Sequence, residues 1–141
     1  MRAGGCLCGA VRYEFDAELG PVTLCHCQYC RRAHGAPFVA LSLMRSDQLR
    51  WVSGAELIQQ VQTQGVGTRA FCRSCGTRLY NRPESAPQIT MLVVESLDDD
   101  RGVEPLMHIN LESKSAWYEI RDDLPCYPAL PPMATDLLES S

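Results

Sequence analysis

Apolar positions recur every second residue over short stretches, and Gly or Pro interrupts each stretch before a longer run builds. Residues 9–15 place Val11 and Tyr13 on one face of an extended segment, the alternation of a strand with one side buried. The same reading predicts strands over residues 22–27, 37–43, 49–52, 56–63, 68–72, 78–81, 89–95 and 106–110. The run 89–95 is the most apolar and is expected at the centre of a sheet. Helical signal is confined to a turn or two over residues 29–34 and one capped turn over 46–49, with Ser46 or Asp47 as the cap. From Leu124 onward, Pro125, Pro128, Pro131 and Pro132 block regular structure, and residues 132–141 read as a loose tail. The pattern predicts a mainly β fold of antiparallel strands at hairpin spacing, with residues 1–131 forming a single domain.

Composition narrows the class. The chain has 141 residues, 45% of them hydrophobic, enough for a core that does not depend on metal as a very small zinc finger does. A formal charge of -4 and a pI near 5.3 make a polyanion a poor electrostatic match, so nucleic acid is not the expected partner. No apolar run is long enough to span a membrane, and residues 1–5 are followed by no apolar signal-peptide region. The expected compartment is therefore the cytoplasm, where thiols stay reduced. Eight cysteines in such a compartment point to metal binding or catalysis rather than to disulfides.

Spacing divides these cysteines into groups. Cys72-Arg73-Ser74-Cys75-Gly76 has the spacing of a zinc knuckle, two thiolates on one tetrahedral ion with a glycine that lets the backbone turn tightly beneath them. Cys6-Leu7-Cys8-Gly9 is a shorter version, in which extended backbone puts both sulfurs on one face. Together Cys6, Cys8, Cys72 and Cys75 form a closed structural zinc site that ties the N-terminus to the middle of the chain.

Cys25-His26-Cys27-Gln28-Tyr29-Cys30 supplies three thiolates within six residues. Cys25 and Cys27 share a face, His26 turns the other way, and Cys30 returns after a short turn. Three protein ligands leave the fourth tetrahedral position open, as in catalytic zinc sites. Cys126, His34 and His108 are the candidates that would close it. A zinc with three thiolates is a weak Lewis acid, better suited to holding a substrate sulfur than to making hydroxide. The chemistry implied is addition of a small thiol to an electrophile, or the reverse C–S cleavage. Two other readings stand beside it: a non-catalytic zinc module, and redox chemistry in which the three thiols form a disulfide.

The motifs also match a known pattern. Gly4-Gly5-Cys6-Leu7-Cys8-Gly9-Ala10-Val11-Arg12-Tyr13, then Cys25-His26-Cys27-x-x-Cys30-Arg31-Arg32-x-x-Gly35-Ala36-Pro37-Phe38, then Phe71-Cys72-x-x-Cys75-Gly76-Thr77-x-Leu79 resembles the glutathione-dependent formaldehyde-activating enzyme family. The resemblance continues through Ser96-Leu97-Asp98-Asp99, His108-Ile109, Ser113-Lys114-x-x-Trp117 and Leu124-Pro125. It implies a β-tent of antiparallel sheets and two zinc ions, a structural one on Cys6, Cys8, Cys72 and Cys75 and a catalytic one on Cys25, Cys27 and Cys30. It also implies a carbon–sulfur lyase, with glutathione and formaldehyde as partners and S-hydroxymethylglutathione as the adduct. The stretch Asn110-Leu111-Glu112 departs from the aromatic and basic residues of that pattern.

Other residues carry dual readings. His108 lies on an apolar strand, as a core histidine or as a partner of the pocket, and His34 follows Cys30 by four residues and could face the open site. Arg31 and Arg32 could pair with glutathione's carboxylates or form a solvated basic turn. Trp117 could line the pocket, with core packing the expected place. Cys126 has no spaced partner and reads as a small buried or free thiol.

Overall fold

The computed structural model describes residues 1–131; the segment 132–141, expected as a tail, lies outside the described residues. Ten strands and one α-helix follow one another as β1 Arg2–Gly5, β2 Arg12–Phe15, β3 Val22–Cys25, α1 Gln28–His34, β4 Val39–Arg45, β5 Arg50–Ser53, β6 Ile58–Thr63, β7 Gly67–Cys72, β8 Arg78–Pro83, β9 Ile89–Val93 and β10 Pro105–Ile109. They form a three-stranded sheet in the order β1-β2-β5 and a seven-stranded sheet in the order β10-β3-β4-β9-β8-β7-β6. All neighbours are antiparallel except β10 and β3, which run parallel with His108 opposite Leu24 and Ile109 opposite Cys25. The expected mainly β, antiparallel class is borne out, and β9, the most apolar run, is the fourth of the seven strands. No helix among the described residues is long and apolar enough to cross a membrane.

The sheets meet through apolar side chains. Tyr13 and Phe15 of β2 join Val22, Met44, Leu92, Val94 and Leu97 in one buried cluster. Trp51 of β5 covers this cluster, its ring 5.7 Å from Tyr13 and 5.7 Å from Tyr80 of β8. The Tyr13 hydroxyl is the polar exception, satisfied by Ser96 Oγ at 2.6 Å. Burial pushes that phenol up to about 12.

Several boundaries differ from the periodicity reading, each for a local reason. Strand β1 was not signalled, because Arg2-Ala3-Gly4-Gly5 carries no β-branched residue. It forms by pairing with β2, Arg2 opposite Phe15 and Gly5 opposite Arg12. Gly4 permits this pairing: a Cβ there would collide with the Ser96 carbonyl and the Tyr13 ring. Strand β2 starts at Arg12 rather than at residue 9, because residues 7–9 are a turn. Strand β9 stops at Val93, where Ser96 Oγ donates to the Val93 carbonyl within a 3-10 turn. The turn expected over 46–49 is a 3-10 turn at Ser46–Gln48 with Arg45 in the cap position, not Ser46 or Asp47. Ser46 Oγ instead donates to Pro87 O and lies 2.7 Å from Thr90 Oγ1, and Asp47 takes the Arg45 guanidinium.

Candidate metal centres

Cys6 and Cys8 lie just past the end of β1, Cys72 ends β7, and Cys75 sits in the β7–β8 connection. Their four sulfurs lie within 4.8 Å of one another. Cys6 and Cys8 do not converge through extended backbone as their spacing suggested. Residues 7–9 turn, Gly9 N–H donates to Cys6 O at 3.0 Å, and Gly9 adopts φ 81°. The second pair repeats the device, with Gly76 N–H on Cys72 O at 2.7 Å and φ 82° at Gly76. Thr77 joins the two turns: its Oγ1 accepts from Leu7 N–H at 2.9 Å and meets Cys75 Sγ at 3.2 Å. The Thr77 hydroxyl, and then its amide, hold the Cys75 thiol down to about 5. Val11 N–H donates to Cys6 Sγ at 3.2 Å.

The donor set fits a tetrahedral thiophilic ion. An ion about 2.3 Å from each sulfur sets sulfur–sulfur edges of about 3.8 Å. Cys6 and Cys8 are 3.5 Å apart, and Cys8 and Cys72 are 3.9 Å apart.

Cys25, Cys27 and Cys30 form a second group, again within 4.8 Å of one another. Strand β3 delivers Cys25, and extended backbone at Cys27 (φ -66°, ψ 151°) sets Cys27 beside it. Cys27 is the N-cap of α1, and Cys30 lies in the first turn. The helix ends at Gly35, left-handed with φ 64°, whose N–H caps Arg31 O. His26 faces the opposite way and is fully buried, its Nε2 2.8 Å from His108 Nδ1. His108 Nε2 in turn reaches both oxygens of Asp122, at 3.0 and 3.1 Å. Burial, with His108 alongside, lowers His26 to about 4, which keeps that ring neutral near pH 7. The Asp122 carboxyl is held below its usual range by the His108 hydrogen bond.

Apart from the other thiols of the trio, each sulfur receives one donor. Asn110 Nδ2 donates to Cys25 Sγ at 3.3 Å, Cys30 N–H to Cys27 Sγ at 3.3 Å, and Arg69 Nη2 to Cys30 Sγ at 3.5 Å. Hydrogen bonds from Cys25 and then Cys30 depress the Cys27 thiol strongly, so the first negative charge of the group settles at Cys27. Cys25 is pushed far up, because its proton is the one shared with Cys27. Such a group could hold a soft cation. Asn110 and Arg69 are the site residues that motif spacing did not reveal. Asn110 follows β10 at φ 61°, a conformation that Asn tolerates better than most residues. That is the one local signal in the stretch where the sequence leaves the family pattern. Arg69 reaches the trio only through strand register.

All three cysteines line a cavity of about 160 Å³, together with Leu41, Met91 and Ile109 and with Arg69, Asn81 and Asn110. No further His, Cys, Asp or Glu among the described residues joins the trio within that 4.8 Å distance. His34 lies instead in a separate groove with Thr77, Arg78 and Glu95. His108 meets His26, on the side away from the trio. Arg31 donates to Ser113 O at 2.7 Å, and Arg32 is exposed. Trp117, expected in the core, is 76% exposed against Tyr118, because the 115–124 segment lies outside the sheets. Cys126 is an exposed free thiol beside Leu124 O.

Comparison with known proteins places the chain in a family. A family model described as glutathione-dependent formaldehyde-activating enzyme matches residues 1–113. An uncharacterised lyase of Schizosaccharomyces pombe is 34% identical over 77 residues, covering 55% of this chain and 54% of that protein. The match thus spans about half the length of this curated relative. A crystal structure of a Rhodobacter sphaeroides protein superposes with a TM-score of 0.59 at 33% identity, covering 73% of this chain and 91% of that one.

Proposed function

Because this chain belongs to the glutathione-dependent formaldehyde-activating enzyme family, we propose that it is a zinc-dependent carbon–sulfur lyase joining a small thiol such as glutathione to a small aldehyde such as formaldehyde. The observation that carries this reading is the cavity lined by Cys25, Cys27 and Cys30, a group for which the described residues offer no fourth ligand. In this reading residues 1–131 are one zinc-binding domain in the cytoplasm. Cys6, Cys8, Cys72 and Cys75 hold a structural zinc, and Cys25, Cys27 and Cys30 hold the catalytic one.

Zinc, when bound by the trio, supplies a positive centre that favours the thiolate of an incoming thiol while leaving its sulfur nucleophilic. The chain's own residues do the rest. Asn110 and Arg69 fix the orientation of the Cys25 and Cys30 sulfurs and temper their charge. Leu41, Met91 and Ile109 exclude water from the reacting atoms. The substrate sulfur bonds to the aldehyde carbon, the C=O π bond opens, and the thiol proton ends on the new hydroxyl. No electrons are exchanged with an outside group.

The test uses zinc-loaded protein with glutathione and formaldehyde, following adduct formation and breakdown after the spontaneous rate is subtracted. Acceleration that disappears in Cys27→Ala is the expected result. Protein that neither binds glutathione nor changes either rate is not such a lyase.

A further inference from the structure

The cavity beside the trio is larger than formaldehyde needs, and the wall it presents is apolar. Leu41, Val66, Pro83, Met91, Ile109 and Leu130 line it together with the three cysteines. Leu41 and Ile109, 1% and 3% exposed, mark its deep side. Leu130, 38% exposed, and the half-buried Val66 mark its rim. The polar side chains of the lining are engaged elsewhere or closed off. Asn110 Nδ2 is on Cys25 Sγ and Arg69 Nη2 on Cys30 Sγ. Arg82 donates to Thr90 Oγ1 and lies over the Tyr80 ring. Arg69 Nη1 and Asn81 Nδ2 are sealed from solvent, so neither is presented to a molecule entering the cavity. Little remains there to offset the water a charged group would give up. A hydrocarbon group, in contrast, gains with every carbon it buries.

Size decides which reactant supplies that group. The cavity holds about 160 Å³, close to an apolar cavity of roughly 150 Å³ that accepts benzene. Formaldehyde, a single carbon and oxygen, would leave most of it empty. Glutathione is a charged tripeptide several times too large for it, so only its sulfur end reaches the trio and its body stays outside. The electrophile must lie against that sulfur, and the rest of the enclosed space is therefore its own. With the sulfur in place, the remainder suits about four or five carbons.

Resting on the lyase reading above, we infer that the aldehyde taken by this site is a small apolar aliphatic aldehyde of about four or five carbons, enclosed by Leu41, Met91 and Ile109 and limited in length by Val66 and Leu130 at the rim. Its carbonyl carbon meets the substrate sulfur on the side of the trio. Addition forms the S–C bond, opens the C=O π bond and delivers the thiol proton to oxygen, giving a hemithioacetal with no change of oxidation state.

The first measurement needs no reaction. Zinc-loaded full-length protein, without thiol, is titrated by NMR with straight-chain primary alcohols from methanol to heptanol, unreactive counterparts of the aldehydes. Affinity is expected to rise about fourfold with each added methylene, the value of burying one, and to level off at about five carbons. Val66→Trp fills the rim and is expected to remove this rise at unchanged zinc content; Val66→Phe serves if it does not fold. Leu130→Ala takes away part of the outer wall and is expected to carry the rise on to longer alcohols. A series that is flat from methanol to pentanol overturns the inference, as does a rise that both substitutions leave untouched. The second measurement follows thiol addition to formaldehyde, propanal, pentanal and heptanal. Each is expressed as acceleration over its own spontaneous rate, so that intrinsic reactivity cancels. The greatest acceleration is expected at pentanal, with glutathione and with 2-mercaptoethanol alike. A maximum at formaldehyde overturns the inference. So does acceleration that follows the carbon count of the thiol across ethanethiol, butanethiol and hexanethiol instead, which would give the cavity to the thiol. A rising alcohol series with no aldehyde accelerated defeats the lyase reading alone. Accelerated formaldehyde addition beside a flat alcohol series defeats this inference alone.

Discussion

Thr77 is a small residue with two duties, accepting from Leu7 N–H in one cysteine turn and holding Cys75 Sγ in the other. Thr77→Val keeps the shape and removes the hydroxyl. The variant is expected to bind zinc at the Cys6, Cys8, Cys72 and Cys75 group about 10- to 100-fold more weakly, the usual cost of losing a partner of a metal ligand. Competition against a chromophoric chelator reads this directly. His34 makes a different prediction. Burial, and then Arg69 and Arg78 nearby, lower it to about 4 from 6.5. Between those values the unfolded chain takes up a proton that the folded chain refuses, so stability falls as pH drops from 6.5 toward 4 and is unaffected above that window. His34→Asn removes its share of this slope, up to ~1.4 kcal/mol per pH unit. Urea midpoints of wild type and variant across the window, compared at equal pH, should diverge toward neutrality and draw together in acid. Parallel curves would show that His34 does not titrate there.

At the scale of elements, the legible and the hidden parts of the fold separate by what specifies them. Strand β9 was readable because its own residues carry the signal, an apolar run, and helix α1 was legible only as a turn or two over residues 29–34. Strand β1 was not, since Gly4 is there for what it must avoid, the Tyr13 ring and the Ser96 carbonyl from distant positions. Gly4→Ala is accordingly expected to destabilise by about 1–3 kcal/mol, the range for forcing an extra group into packed surroundings. A urea midpoint unchanged from wild type would show that β1 moves aside freely. The same division holds for the site. The seven clustered cysteines could be picked out by spacing alone. Arg69 and Asn81 could not, because their adjacency is a property of the β7–β8 register, and nothing local in either strand announces the other. Parallel pairing of β10 with β3 was equally out of reach, although it sets His108 beside His26.

For the whole molecule, the two cysteine groups play unequal parts in holding the fold. The Cys6, Cys8, Cys72 and Cys75 group links the end of β1 in the small sheet to the end of β7 in the large one, with Cys72 fully buried. The trio instead joins β3 to its own following helix. Cys72→Ala is therefore expected to lower the melting temperature far more than Cys27→Ala, and each variant to lose one equivalent of zinc by metal analysis. Equal thermal losses would contradict this ranking. One strand nonetheless serves both groups: β7 carries Arg69 against Cys30 and ends on Cys72. With ions in both groups, one that fixes the end of β7 would also steady the guanidinium three residues earlier, and any gain in affinity it gave the other ion would be returned by the same factor. Apoprotein titrated with zinc should then regain activity along a sigmoid, lagging behind total metal at low doses and catching up only near saturation. Preparations short of zinc would hold a mixture of fully charged and empty molecules, and a scarce supply would act on this protein as a threshold.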